Sequence, residues 1–264
     1  MQKPETRSIE GGHAVVTGGG SGIGAAAAGE FARRGARVTL MGRRRERLDA
    51  VAKSIAAAGG TAAAEALDVT EPAAVASSFA SASARFGPVA ILVNNAGAAE
   101  SAPFTWTGLD LFERMLRINL TGAFLCTQAV LPAMLAAKSG RIVNVASTAG
   151  LRGYAYVAAY CAAKHGLVGM TRALALEIAK SGVTVNAVCP GYTETELLER
   201  AVATIAAKTG RSADAARAEL AAANPMGRLV RPEEVAATIA FLSSTAAASI
   251  TGQAIAVAGG EVTP

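Results

Sequence analysis

Thr17-Gly18-Gly19-Gly20-Ser21-Gly22-Ile23-Gly24 is the stretch on which the reading of this chain turns. The apolar run His13–Thr17 (HAVVT) leads into it, and a helical stretch over residues 22–34 follows at once, closed by Gly35. Glycines are needed where a chain turns sharply and where backbone N–H groups must approach a phosphate with no Cβ in the way. The helix start adds free donors and partial positive charge. In this strand–turn–helix context a glycine motif points to dinucleotide binding rather than to an ordinary loop. Its spacing, Gly-x-x-x-Gly-x-Gly, departs from the common Gly-x-Gly-x-x-Gly fingerprint.

Outward from this turn, short apolar runs alternate with helical stretches. Strands are expected over residues 37–41, 61–67, 90–93, 141–146, 183–188 and 253–257. Helices are expected over 45–58, 71–86, 110–137, 157–180 and 232–242, with Asp68 and Thr70 as capping side chains before the third helix. Continuous apolar strands alternating with helices imply an α/β fold, a single doubly wound Rossmann-type domain whose mostly parallel, seven-stranded sheet carries helices on both faces. With no linker and no internal repeat, residues 1–264 read as one domain. The stretch after Gly191 breaks the rhythm, so residues 193–230 read as a lid over the site, helical through 193–223.

Composition excludes several classes. Hydrophobic residues make up 52% of the chain and charged residues 17%, which suits a large core and argues against disorder. The net charge of +5 includes no long basic run. The densest cluster, Arg43, Arg44, Arg45 and Arg47, has no interleaved aromatics and suits one phosphate better than a nucleic acid. Cys126, Cys161 and Cys189 have neither disulfide nor zinc spacing, and reduced thiols fit the cytoplasm. Residues 1–10 lack the apolar core of a signal peptide. No uninterrupted apolar run approaches the ~18 residues of a membrane span. No His/Asp/Glu cluster has metal-ligand spacing. His13 and His165 are assigned no role.

The candidate chemistry lies further along. Tyr160 and Lys164, four residues apart on a helix, share a face. The ammonium is expected to favour phenolate and lower the tyrosine pKa. Ser147, at a strand's C-terminal end, lies where open α/β sheets put ligands, and its hydroxyl can hydrogen-bond a substrate oxygen. Tyr154 and Tyr156, in the following loop, are candidates for the pocket wall or for surface packing.

These residues fall into an ordered set: the glycine turn, Asn94-Asn95-Ala96-Gly97, Asn119, Ser147, the Tyr160-x-x-x-Lys164 pair, and Pro190-Gly191 with Thr195. The set resembles the short-chain dehydrogenase/reductase family, and the resemblance runs from about Gly12 to Gly260. It implies an NAD(P)-dependent oxidoreductase with Asn119, Ser147, Tyr160 and Lys164 as catalytic residues. Tyr160 would be the proton donor and acceptor, and Asn119 would hold a water in a relay with Lys164. It also implies a cofactor site of Gly18, Ser21, Gly22, Ile23, Gly24, Arg43, Asp68, Val69, Asn95, Ala96, Gly97, Tyr160, Lys164, Pro190, Gly191 and Thr195.

In the family's pattern Gly42 stands where NAD-preferring members carry Asp, and Arg43 where many NADP-preferring members carry Arg. A guanidinium suits a 2′-phosphate, so NADP(H) is the expected cofactor. Ser21, where NADP-preferring members often carry a basic residue, leaves NAD(H) open. The resemblance is closest to 3-oxoacyl-thioester reductases and aromatic polyketide ketoreductases, which implies a small-molecule ketone/alcohol substrate. A catabolic NAD-dependent 3-hydroxyacyl-CoA or secondary-alcohol dehydrogenase would look much the same. Lys208 and Arg211 in the lid are candidates for a CoA or carrier phosphate. A non-catalytic NADP(H) sensor is the remote alternative, disfavoured because all four catalytic positions are kept. A nucleotide-sugar epimerase is disfavoured by the short stretch after the sheet. Leu167, Val168, Met170, Leu174, Leu176 and Ile178 leave no clean polar face on their helix. That favours a homo-oligomer, and family members pair these helices in tetramers.

Overall fold

The computed structural model describes residues 9–263. The N-terminal stretch read above as lacking a signal peptide lies, up to residue 8, outside the described residues. Seven strands form one sheet in the order β3-β2-β1-β4-β5-β6-β7. They are β1 (His13–Thr17), β2 (Arg37–Gly42), β3 (Thr61–Ala66), β4 (Ile91–Asn94), β5 (Gly140–Val145), β6 (Val183–Pro190) and β7 (Ala254–Val257). Every pairing is parallel. The order reverses between β1 and β4, so their C-terminal ends open the crevice where such sheets bind ligands.

Helices cover both faces, as continuous apolar strands require. On one face α1 (Gly22–Arg33), α2 (Arg45–Ala57) and α9 (Pro232–Leu242) bury Phe31, Leu48, Val235 and Ile239 against Val16, Val38 and Leu40. On the other, α3 (Pro72–Phe86), α5 (Gly122–Ala137) and α6 (Ala158–Glu177) bury Phe79, Met134 and Ala175 against Val15, Leu92 and Ile142. Gly35 ends α1 with φ 82, and the N–H groups of Gly35 and Ala36 bond back to Ala32 and Phe31.

Four local expectations are corrected. The helix expected over 110–137 is α4 (Leu109–Leu116), a π turn (Arg117–Thr121) and α5. The interruption comes from Asn119, whose Nδ2 donates to Met115 O at 3.0 Å and to Ala98 O at 2.9 Å. A side chain inserted into the backbone ladder in this way widens one turn. The lid stretch splits into α7 (Glu196–Thr209) and α8 (Ala213–Ala222), broken at left-handed Gly210 and restarted by the Ser212 cap. The helix expected to reach residue 180 ends at Glu177. Asp68 accepts from Thr70 N at 3.0 Å in a turn of its own, and α3 instead starts on Pro72.

By length and composition alone the helical stretch Leu109–Ala137, with a mean hydropathy of 1.6, would pass for a membrane span. In the fold it flanks the sheet, and Thr127 and the backbone of Ala123 accept from Asn94 of β4.

The glycine turn works by close approach. A Cβ on Gly24 would lie 2.3 Å from Gly18 O and 2.5 Å from Asn95 Nδ2. Gly29, on the same helix, has open space where a Cβ would go. Gly29→Ala is therefore expected to stabilise the protein by about 0.5–1 kcal/mol through helix propensity. Gly24→Ala should destabilise it by about 1–3 kcal/mol through overpacking. Urea unfolding followed by circular dichroism measures both, and equal shifts would refute the close-approach reading.

Candidate active site

At the crevice, Thr17 and Asn95 tie β1 to β4. Asn95 N and Ala96 N both donate to Thr17 Oγ1 at 3.0 Å, and Asn95 Nδ2 donates to Thr17 O at 3.0 Å. A cleft of about 1080 Å³ opens from this tie. Gly18, Ser21, Gly22 and Ile23 form one wall, with Arg43 at the end of β2. Asp68 and Val69 line it after β3, and Asn95, Ala96 and Gly97 after β4. Thr195 closes over the turn, its Cγ2 only 2.9 Å from where a Gly22 Cβ would stand. Gly24 sits behind the turn. Pro190 ends β6, and Gly191 N donates to Val257 O at 3.1 Å.

These residues fit a dinucleotide: a glycine-walled helix start for phosphates, a roomy cleft, and cations at the end of β2. Of the arginine cluster, Arg45 pairs with Asp49, while Arg44 and Arg47 both reach Glu196 of α7. Arg43 has no hydrogen-bond or ion-pair partner among the described residues and faces the cleft. The tie from Glu196 to Arg47 spans 149 positions of sequence, which no local pattern signals.

Gly97 lines the cleft, and behind Gly97 stand Asn119 and Lys164. A Cβ there would lie 2.8 Å from Asn119 Oδ1 and 3.7 Å from Lys164 Nζ. Asn119 is buried on its π turn and also accepts from Ala98 N at 3.2 Å. Lys164 is buried too, donating to Val145 O at 2.8 Å, with its ammonium 5.6 Å from the centre of the Tyr160 ring. Ser147 follows β5 in extended conformation, its Oγ accepting from Ala149 N at 3.1 Å, and its side chain contacts the Tyr160 phenol. Asn119, Ser147, Tyr160 and Lys164 thus gather behind Gly97.

The electrostatics correct one expectation. The Tyr160 phenol is not lowered. Burial pushes it up to about 12, with the Ser147 hydrogen bond working against that rise. Burial also lowers Lys164 to about 8. Desolvation disfavours each charged form and is the largest cause of both shifts. Beneath the site, Asn94 Nδ2 donates to Asn144 Oδ1 at 2.8 Å and Asn144 Nδ2 to Thr171 Oγ1 at 2.8 Å. That buried network fixes β4, β5 and α6 to one another, and the sequence reading did not single it out.

Tyr154 and Tyr156 separate. Tyr156 is 67% exposed at φ 67, whereas Tyr154 is partly buried against Tyr192, their ring centres 6.5 Å apart. His13 is buried, bonding Gly87 O and Thr39 Oγ1 away from the site.

The short chain dehydrogenase family pattern matches residues 12–206, and the chain belongs to that family. It is 46% identical over 248 residues to a cis-4-hydroxycyclohexanecarboxylate dehydrogenase of Sinomonas cyclohexanicum, covering 94% of this chain and 95% of that one. It is 40% identical over 247 residues to a D-beta-hydroxybutyrate dehydrogenase of Cupriavidus necator, covering 92% and 95%. Among solved structures, an actinorhodin polyketide ketoreductase variant with NADPH superposes with a TM-score of 0.92 at 40% identity, covering 95% and 97%. The protein is an NAD(P)-dependent oxidoreductase of the ketone/secondary-alcohol pair.

Lys164 gives a pH test. Its folded pKa, about 8, lies below the roughly 10.4 of an unfolded lysine. Between those values the unfolded chain binds the extra proton, so this residue adds stability as pH rises through the window. Thermal melts of wild type and Lys164→Met from pH 7 to 10 are expected to show wild type gaining on the variant. A constant difference would refute the shift.

Proposed function

We propose that the protein reduces a cyclic or polyketide-like ketone to a secondary alcohol with NADPH, with Asn119, Ser147, Tyr160 and Lys164 as its catalytic residues. The observation that carries this is the convergence of those four side chains behind Gly97, next to a cleft lined by the glycine turn. A bound nicotinamide supplies the hydride. The Tyr160 hydroxyl gives its proton to the ketone oxygen, and Ser147 hydrogen-bonds the same oxygen as charge develops there. Lys164 holds charge beside the phenol, and Asn119 anchors the proton path behind it.

Arg43, free and facing the cleft, supports NADP(H) over NAD(H). Gly18, Ser21, Gly22, Ile23 and Gly24 would take the phosphates, Asp68 and Val69 the adenine, and Pro190, Gly191 and Thr195 the nicotinamide half. Residues 1–264 form one catalytic domain, with residues 193–230 as its lid. Arg211 in that lid already pairs with Glu219, which weighs toward a free ketone over a CoA or carrier thioester. A catabolic secondary-alcohol dehydrogenase is the second reading, favoured by the identity to the cyclohexanecarboxylate enzyme. Three free, buried cysteines support a reducing cytoplasm.

Two variants test the chemistry in one assay of ketone reduction with NADPH and NADH. Tyr160→Phe is expected to lose several orders of magnitude in turnover while still binding NADPH, because proton transfer is left to water. Arg43→Asp is expected to weaken NADPH at least about tenfold relative to NADH. Tyr160→Phe activity within about tenfold of wild type would overturn the catalytic assignment. An unchanged cofactor ratio would overturn the preference.

Assembly belongs to the same proposal. Leu176 on α6 is 81% exposed, and Phe124 and Leu135 on α5 are exposed as well. Helices apolar on the outside as well as against the sheet seek a second partner. Two distinct isologous interfaces, one through α5 and α6 and one through β7, would close a dihedral tetramer. Light scattering on a sizing column is expected to give about four times the 26.5 kDa chain mass, and a monomer mass would refute it.

A further inference from the structure

We propose that Glu196 is a specificity-determining residue for the cofactor: its carboxylate holds Arg44 and Arg47, which leaves Arg43 as the one arginine lining the cleft that is open to a 2′-phosphate. Glu196 thereby works against NADP(H) and keeps NAD(H) usable beside it. The inference deepens the cofactor reading proposed above, in which Arg43 meets that phosphate.

Four charged side chains share one part of the cleft's lining. Arg43, Arg44 and Arg47 come from the end of β2 and the start of α2, and Glu196 from the first turn of α7. Gly20 lets α2 come close to the glycine turn, since a Cβ there would stand 3.2 Å from the Arg47 Cβ and 3.4 Å from Leu48 Cδ2. Arg47 therefore starts beside the turn read above as the phosphate site. Glu196 approaches from the opposite side. Its neighbour Thr195 packs over Gly22. The segment before it is braced, Glu194 N donating to Val230 O at 2.9 Å and Val230 N to Tyr192 O at 2.9 Å. Leu198 and Val202 of α7 share a buried cluster with Leu229. The start of α7 is thus fixed by packing that does not depend on the arginines.

One carboxylate then accepts from two guanidiniums. Arg44 Nη2 donates to Oε2 at 3.4 Å, and Arg47 Nη1 donates to Oε1. Arg43 has no such partner among the described residues. The side chains of Arg44, Arg47 and Glu196 are 39–46% exposed, so the pairs are screened and add little stability. What they decide is where the charge goes. A phosphate in this part of the cleft competes with Glu196 for both guanidiniums and also meets the carboxylate's own negative charge. A ribose hydroxyl carries no charge and feels neither effect. Specificity is a difference between two affinities, and a repulsive element aimed at one ligand sets it as effectively as an attraction to the other.

Glu196→Gln keeps the size of the side chain and one accepting oxygen while removing the charge. Calorimetric titration with NADP⁺ and with NAD⁺, which requires no turnover, gives the ratio of the two Kd values. In the variant that ratio is expected to move toward NADP⁺ by about threefold to tenfold, the size of two exposed charge pairs. The pyrophosphate is common to both cofactors and cancels in the ratio. Adding Arg44→Ala and Arg47→Ala to Glu196→Gln should return the ratio to near the wild-type value. If Glu196 served only to hold α7 in place, its loss would weaken both cofactors alike, and an unchanged ratio therefore overturns the inference. A gain that survives removal of the two arginines overturns it as well. Arg43 is read separately: the same ratio in wild type and Arg43→Asp defeats the Arg43 reading, while the Glu196 inference stands or falls on the change that Glu196→Gln makes.

Discussion

The tie between the ends of β1 and β4 is the constraint on which the site depends. A parallel sheet whose strand order reverses must split its crossovers to opposite faces, and the two strand ends then part. Here Thr17 accepts from the backbone of Asn95 and Ala96, and Asn95 returns its amide to Thr17 and Gly18. Those bonds hold the glycine turn and the Asn94–Gly97 segment as the two sides of one cleft. Gly24 must be a glycine because α1 starts against Gly18 O and the Asn95 amide. Gly97 must be small because Asn119 and Lys164 approach it from behind. The glycine turn and the Asn119–Lys164 side of Gly97 are thus aligned by the same few contacts.

What the sequence disclosed follows from how local each cause is. The strands were legible because strands buried on both faces are uninterrupted apolar runs, as in HAVVT and VTVNAV. The glycine turn, Ser147, Tyr160 and Lys164 were legible because each sits at a fixed distance from a strand end or on one helix face. The π turn was not, because a helix that widens by one residue keeps its apolar composition. Only the tertiary bond from Asn119 to Ala98 reveals the competition with the backbone. The Glu196 tie to Arg44 and Arg47 and the contact of Glu261 with Tyr154 join residues far apart in sequence, so no window contains both partners. Tyr160 shows a different limit. Adjacency to an ammonium was readable, but the depth of burial that reverses the sign of the shift is a property of the packed site.

The polar network below the sheet's C-terminal edge has a related role. Asn94, Thr127, Asn144 and Thr171 are all buried, and each finds a partner in another element. Apolar side chains of similar size would fill the same space with less directional preference. The amide–amide bond between β4 and β5 sets the relative height of those strands, and therefore of Gly97 and Ser147 at their ends. Asn94 Oδ1 has no partner among the described residues, and the bonds that do form favour one packing of these elements.

Burial at Tyr160 and Lys164 acts on both charges. Desolvation holds the phenol protonated and makes the ammonium release its proton more easily. One cause thus moves the two pKa values in opposite directions, up to about 12 for the phenol and down to about 8 for the ammonium, because the charged form is the anion in one and the cation in the other.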